Sequence, residues 1–288
     1  ETHFHNKAHC MKYTRFIQTL SIALALPFFL SAQAPSGVAP EGFEVKEVRP
    51  KETDNASRQL IQNFLTVTGG KQTHIELRNI VATGVIEEAS RTKRFKLVET
   101  QDGKRKVTYT WRHLGHDYQE VYAFDGVNAW TQMVKPKEQP VRDYTGQMAE
   151  HFKRQHWLLQ PLVLPLKAPY VFKYQGMEKV SGRPAYVVVG WGKNDERSWF
   201  YFDEEKFLLT RWGGIGTIAG VEEYMDYSAI RFAKVEGVLL PKEINLLAEG
   251  KPFGKLTFDG IQTNREIDTK IFNAKPSRVP ILRQRVAQ

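Results

Sequence analysis

The sequence predicts a mainly β fold with few helices: a curved antiparallel sheet of roughly twelve short strands, one face or mouth of it covered by helical elements. Three observations predict it. From Asn79 onward the apolar period is two rather than three to four, as where Val107, Tyr109 and Trp111 alternate with Lys106, Thr108, Thr110 and Arg112. Turn signals recur at the spacing typical of sandwiches and barrels, with no alternating strand and helix that would make a parallel sheet. Composition is that of a globular chain, 41% hydrophobic and 25% charged over 288 residues, which excludes collagen-like, disordered and multi-span membrane proteins. The single cysteine, Cys10, excludes a disulfide scaffold and a cysteine-based zinc cluster.

The N-terminal stretch has the layout of a secretory signal peptide. Met11 is followed by the cations Lys12 and Arg15, an apolar run from Phe16 to Leu30, and Ser31-Ala32-Gln33-Ala34 with small residues where signal peptidase cuts. The run is too short for the ~20 apolar residues of a bilayer span and is broken by Pro27. Residues 1–10 are expected to be an upstream extension, with no metal site among His3, His5 and His9. Cleavage after Ala34 would leave 254 of the 288 residues and, with Glu1, Lys7, Lys12 and Arg15 gone, lower the formal charge from +9 to +7. The expected location is the periplasm. A chain without disulfides must hold itself by burial, and at this size a compact fold hides roughly 70–75% of its unfolded surface.

Residues 35–52, rich in Pro, Gly and charge, read as a flexible leader. Thr53 or Asp54 then caps a helix with Leu60, Ile61, Phe64 and Leu65 at helical spacing, ended by Gly69-Gly70. A short helical turn is expected near Gln72 to Leu77. Five antiparallel strands follow over about 79–134, joined at turn signals such as Gln101-Asp102-Gly103-Lys104 and Asp125-Gly126. Residues 135–143 read as a proline-containing loop. A second helix is expected from about Gly146 to Leu159, with Met148 or Ala149, Phe152 and Trp157 on its buried stripe. The next run, Trp157 to Leu166, is apolar but holds Pro161 and Pro165, so it is neither a long helix nor a central strand. Strands resume at Tyr170 and continue through Pro184–Trp191, Ser198–Phe202, Phe207–Trp212, Val221–Phe232, Val238–Leu247 and Lys255–Ile261. Trp199-Phe200-Tyr201-Phe202 puts rings on both faces of one strand, as in a sheet covered on both sides or one with an exposed ring belt.

The order of these elements, together with Ile80 to Gly84 opening the sheet, Tyr201-Phe202-Asp203 before a turn and Leu208-Leu209, Tyr227-Ser228, Gly237-Val238-Leu239-Leu240-Pro241 and Asn264-Arg265-Glu266-Ile267-Asp268 with Phe272, resembles the bacterial outer-membrane lipoprotein-sorting (LolA-like) superfamily. The resemblance covers most of 53–276. It implies one domain there, an unclosed antiparallel β half-barrel of about 11–12 strands with a helical lid on the concave face, followed by a tail over 277–288. It further implies a periplasmic carrier or chaperone that holds acyl chains of lipoproteins or other lipids without catalysis and without a cofactor. Its partners would be those chains, with an inner-membrane transporter and an outer-membrane acceptor, and the expected state is a monomer. Fold alone does not fix the ligand, and a lipoprotein-sensing regulatory module of the same fold is the alternative reading.

Such a carrier needs apolar area and a cover that moves. Burial contributes ~0.8 kcal/mol per methylene, so a chain of about sixteen carbons gains on the order of 10 kcal/mol before ordering costs. The expected wall residues are Tyr109, Trp111, Tyr122 and Phe124, with the concave face undetermined. The expected lid residues are Met148, Phe152, Trp157, Leu158, Leu162 and Leu164, for which core filling is the competing reading.

Other chemistries lack their signatures. His151 and His156 are five apart rather than the four that place two ligands on one helical face. His113, His116 and Asp117 flank a hairpin turn without a nucleophile motif, which leaves a hydrolase as the weakest alternative. Gly213 to Gly220 has the glycine content of a dinucleotide fingerprint but falls between antiparallel strands, and reads as a flexible loop. Arg91-Thr92-Lys93-Arg94 and Lys104-Arg105-Lys106 read as the solvated outer face of one strand pair, or as a patch for an anionic membrane surface. Nucleic acid is not expected for an exported protein.

Overall fold

The first helix shows how local chemistry sets the architecture. In the computed structural model, which describes residues 49–146, 149, 152, 157–158, 170–192, 197–218, 221–248 and 250–273, Asn55–Val67 form helix α1. Asp54 is the cap: its Oδ1 accepts the Ser57 amide at 2.7 Å and its Oδ2 the Tyr174 amide at 2.7 Å. Burial works against this carboxylate, but the hydrogen bonds from the Ser57 and Tyr174 amides outweigh it and hold its pKa below the ordinary range. One side chain thus both starts the helix and fastens it to an edge strand.

The other end of α1 is fastened too. The Thr68 carbonyl accepts the Leu239 amide at 2.9 Å. Gly69, at φ +132°, lies so close to the backbone of the following strands that a Cβ there would stand 2.6 Å from the Gly237 carbonyl oxygen. A short helix α2, Lys71–Glu76, follows. Its His74 is fully buried, with Nε2 2.8 Å from the Thr68 hydroxyl.

The strands are β1 (Asn79–Glu88), β2 (Arg91–Thr100), β3 (Arg105–His113), β4 (His116–Phe124), β5 (Ala129–Lys135), β6 (Arg142–Tyr144), β7 (Val171–Val180), β8 (Arg183–Trp191), β9 (Arg197–Asp203), β10 (Leu209–Ile218), β11 (Val221–Val235), β12 (Val238–Ala248) and β13 (Lys251–Thr263). They form one antiparallel sheet in the order β6-β5-β4-β3-β2-β1-β13-β12-β11-β10-β9-β8-β7. The ends, β6 and β7, are not paired with each other, so the sheet is an unclosed half-barrel. Chain order and sheet order differ at one seam only, where β13 returns to pair with β1, Ile80 opposite Thr263. The sheet is therefore two meanders joined side by side, with β6 and β7 at its two edges.

Three expectations are corrected. The sheet has thirteen strands rather than 11–12, because Arg142–Tyr144, at the end of the proline-containing loop, pair with Ala129–Thr131 as an edge strand. Gly213 to Ile218 are not a loop. They lie in β10, paired with β11 from Gly213 opposite Asp226 to Ile218 opposite Val221. Glycine is required at Gly213 because a Cβ there would run into the Met225 carbonyl oxygen and, 2.6 Å away, the Trp199 ring. The basic clusters are not uniformly solvated: Lys93 and Arg105 are each only 3% exposed, since both share the parity of the inward aromatic residues.

Core residues gather on the sheet face that carries α1. Leu60, Ile61, Phe64 and Leu65 pack with Phe172, Val188, Phe200, Phe202, Trp212, Leu240, Ile244 and Phe258. The outer face has its own buried cluster of Val180, Ala185, Val187, Trp199, Tyr201 and Ile215, so the four rings of β9 are buried on both faces of the sheet. A 3-10 turn, Thr269–Phe272, closes the described chain, and its Phe272 carbonyl accepts the Trp130 indole N–H at 2.7 Å. Among the described residues no helix is long and apolar enough to cross a membrane.

Candidate functional site

The register of β1–β6 arranges the inner wall in rows. The lowest row is Ile80–Glu99–Arg105–Phe124–Ala129–Tyr144, and above it run Ala82–Leu97–Val107–Tyr122–Thr131 and Gly84–Phe95–Tyr109–Glu120–Met133. Near the upper rim Ile86 pairs with Lys93, and Trp111 with Tyr118. Tyr109, Trp111, Tyr122 and Phe124 therefore all face inward, on one wall. Phe124 is buried, whereas Tyr109, Trp111, Tyr118 and Tyr122 keep part of their surface open.

Rings cover this wall edge to face and stacked. Tyr109 and Tyr122 meet at 5.7 Å and 82°, Trp111 and Tyr118 stack at 5.2 Å and 10°. Phe152, which is helical and buried, stacks on Tyr144 at 5.3 Å and on Tyr122 at 6.1 Å, and clusters with Phe124, Ala129 and Ala149. Met148, Leu162 and Leu164 lie outside the described residues.

Trp157 and Leu158 are held in the hollow by an ionic latch that the sequence reading overlooked. Glu99, wholly buried on β2, accepts the Trp157 amide at 2.9 Å on one carboxylate oxygen and the Leu158 amide at 3.2 Å on the other. Arg105, opposite Glu99 in register, ion-pairs with it at 3.6 Å and lays its guanidinium 4.6 Å from the Trp157 ring centroid. The Phe95 ring meets Trp157 edge-on at 5.4 Å, and the Trp157 indole donates to the Tyr227 hydroxyl. Two described residues are not helical here but bent, which corrects the expectation of a helix running to Leu159. Bending exposes the two amides that Glu99 then satisfies.

The upper part of the same wall carries charge. Lys93 pairs with Glu88 at 3.4 Å, and its ammonium lies 5.4 Å from the Tyr109 ring and 5.2 Å from the Trp111 ring. Burial raises the Glu88 pKa against the opposing pull of Lys93. Burial likewise raises that of Glu120, against the hydrogen bond from Tyr122 and the charges of Lys93 and Arg91. The signal for these residues was their parity: Glu99, Lys93, Arg105 and Glu120 share the inward parity of Phe95, Leu97, Val107, Tyr109, Tyr122 and Phe124.

The opposite half of the hollow is already filled. Phe64 of α1 touches Phe202 at a centroid distance of 5.4 Å, and both are 1% exposed. His113 and His116 stand opposite each other at the exposed β3–β4 turn, at the rim of the wall, where the His113 ring lies 6.5 Å from the Tyr118 ring. Among the described residues no three His, Cys, Asp or Glu side chains are grouped to hold a metal ion. The arrangement offers apolar and aromatic area with a pinned segment over it.

No family model matches the chain, and no curated protein matches it. Solved structures do match. A LolA superfamily protein from Nitrosomonas europaea is 13% identical with a TM-score of 0.46, over 75% of this chain and 97% of that one. A DUF1329 family protein from Desulfovibrio piger is 11% identical with a TM-score of 0.42, over 75% and 96%. The chain is similar in structure to solved proteins described as LolA superfamily or lipoprotein-sorting, a further one being an outer-membrane lipoprotein-sorting protein domain from Vibrio parahaemolyticus at 10% identity and a TM-score of 0.45, over 76% and 97%.

Proposed function

We propose that the protein binds acyl chains, of a lipoprotein or of free lipid, against the inner wall of β3–β5, and that it carries or shields them without catalysis. One observation carries the reading: one half of the half-barrel is filled by α1, while the facing half lines its wall with partly open rings and covers it with a segment held through two backbone hydrogen bonds to one carboxylate. Tyr109, Trp111, Tyr122 and Phe124 form the wall, and Phe152, Trp157 and Leu158 the cover. Chain entry displaces Trp157, and the apolar burial of the ligand must offset the hydrogen bonds to Glu99 and the Arg105 contact that Trp157 gives up.

The reading places the protein in the periplasm, with the signal peptide removed. A donor at the inner membrane and an acceptor at the outer membrane complete a carrier's route. Native mass spectrometry of the protein purified from a membrane-containing lysate tests the binding step. Retained lipid, displaced by added fatty acid, is the expected result. No bound lipid together with no uptake of a fluorescent fatty acid contradicts it.

A further inference from the structure

Helix α2 is anchored by a single side chain. Of its six residues only His74 is buried, and it is fully so. The side-chain bonds that reach the helix from outside or from its approach, Gln101 Nε2 to the Ile75 carbonyl at 3.1 Å and Thr73 Oγ1 to the Gly69 carbonyl at 2.8 Å, are exposed. We propose that α2 is an acid-released clasp: a proton taken up at His74 Nδ1 frees this helix, and with it the C-terminal end of α1, while the sheet stays folded.

The hydroxyl of Thr68 fixes the tautomer. Thr68 Oγ1 stands 2.6 Å from the Phe64 carbonyl oxygen and 2.8 Å from His74 Nε2. A hydroxyl has one proton and a carbonyl only accepts, so that proton goes to Phe64, and Nε2 must donate its own to Thr68. Nδ1 then carries the lone pair, buried and without a hydrogen-bond partner. The neutral ring tolerates this place. A proton at Nδ1 would create a buried cation whose new N–H meets no acceptor.

No neighbouring charge offsets that cation. From α1 come the Phe64 ring, 6.0 Å away, and a last turn without acidic or basic residues. The charged groups on the surrounding elements are Lys71 and Glu76 of α2, Arg78 beyond it, Asp102 and Lys104 at the β2–β3 turn, and Glu236 at the β11–β12 turn, where it holds Thr263 and Arg265. Burial alone shifts His74, to about 4.

Swinging α2 outward is the smallest movement that returns the charged ring to water. It takes the ring from Thr68, whose carbonyl holds the Leu239 amide, and from the Gly69 approach to Gly237. Release therefore passes to the end of α1 beside Phe64. The folded pKa is depressed, so the hold is complete above 6.5 and fades as pH falls toward about 4. Over that window the opening constant rises about 10-fold per pH unit.

Hydrogen exchange of the full chain at about pH 7 and about pH 4.5, corrected for intrinsic exchange rates, tests the clasp. A roughly 100-fold loss of protection is expected at the Gly70, His74, Leu77 and Leu239 amides, with β1–β5 keeping theirs. His74→Gln, which cannot take up the proton, should show no such loss. Loss shared by β1–β5, or equal loss in the variant, overturns the proposal. Should the variant not fold, nitrogen-15 spectra of the unaltered chain decide it: a protonated Nε2 at neutral pH that titrates below the ordinary histidine range is expected, and a protonated Nδ1 at neutral pH overturns it.

Discussion

The two halves of this half-barrel are built from the same alternating strands and filled in opposite ways. In the half from β7 to β12 the hollow holds α1, whose ends are tied by Asp54 to β7 and by Thr68 to β12, and whose Phe64 is sealed against Phe202. In the half from β1 to β6 the wall rings remain partly open, charges sit among them, and the cover is a bent segment tied by Glu99. Continuous helix delivers apolar side chains at every turn while satisfying its own backbone. A bent segment must borrow acceptors from the wall. The first makes a core; under the proposed function the second makes a closure that one side chain controls, so that stability belongs to one half and binding to the other.

Substitutions can break that division. The largest expected effect is Phe64→Ala, which should cost about 3–5 kcal/mol in denaturant unfolding because a sealed cavity replaces a fully buried ring. It should leave the preference among bound lipids as it is. Glu99→Gln comes next: one carboxylate oxygen becomes a donor, an amide loses its acceptor, and Arg105 loses its counter-charge. A loss of about 1–3 kcal/mol is expected, with faster uptake of a fluorescent fatty acid in stopped flow, since the cover is less firmly held. Slower uptake would show that the latch shapes the site rather than closing it.

His74 offers a pH test confined to the filled half. Burial lowers its pKa from 6.5 to about 4. A group whose folded pKa is depressed supports the fold above its unfolded pKa and withdraws that support as pH falls. Stability should therefore drop between pH 6.5 and about 4, by at most about 3 kcal/mol. The difference between the wild type and His74→Gln, measured across that range, isolates this contribution from Glu88 and Glu120, whose raised values act in the opposite sense. The smallest stability change belongs to Tyr109→Ala, about 1 kcal/mol for a partly exposed ring, yet fatty-acid affinity should fall roughly 10-fold.

Much of this fold was legible before any coordinates. Asp54 as a cap, Gly69-Gly70 as a stop and the alternation around Tyr109 and Trp111 are local signals, and local chemistry decides them. Tyr109, Trp111, Tyr122 and Phe124 fall on one wall because parity along paired strands carries across a hairpin. Arg105 reads as part of a solvated cluster and Glu99 gives no signal because a charged residue in a strand ordinarily faces water, and the amides that recruit Glu99 come from residues 157–158, far along the chain. The Gly213 strand was missed for the same reason: the ring that excludes a side chain there, Trp199, belongs to the neighbouring strand. What depends on a partner distant in sequence leaves no local mark.

Photo-crosslinking of the full chain with a diazirine-bearing fatty acid, mapped by peptide mass spectrometry, addresses the division most directly. Label on the peptides holding Tyr109, Tyr122 and Met133, competed away by unlabelled fatty acid, is the predicted outcome. Competable label on Phe64 or on Phe200 to Phe202 instead would mean that α1 gives way to the chain, and would contradict it.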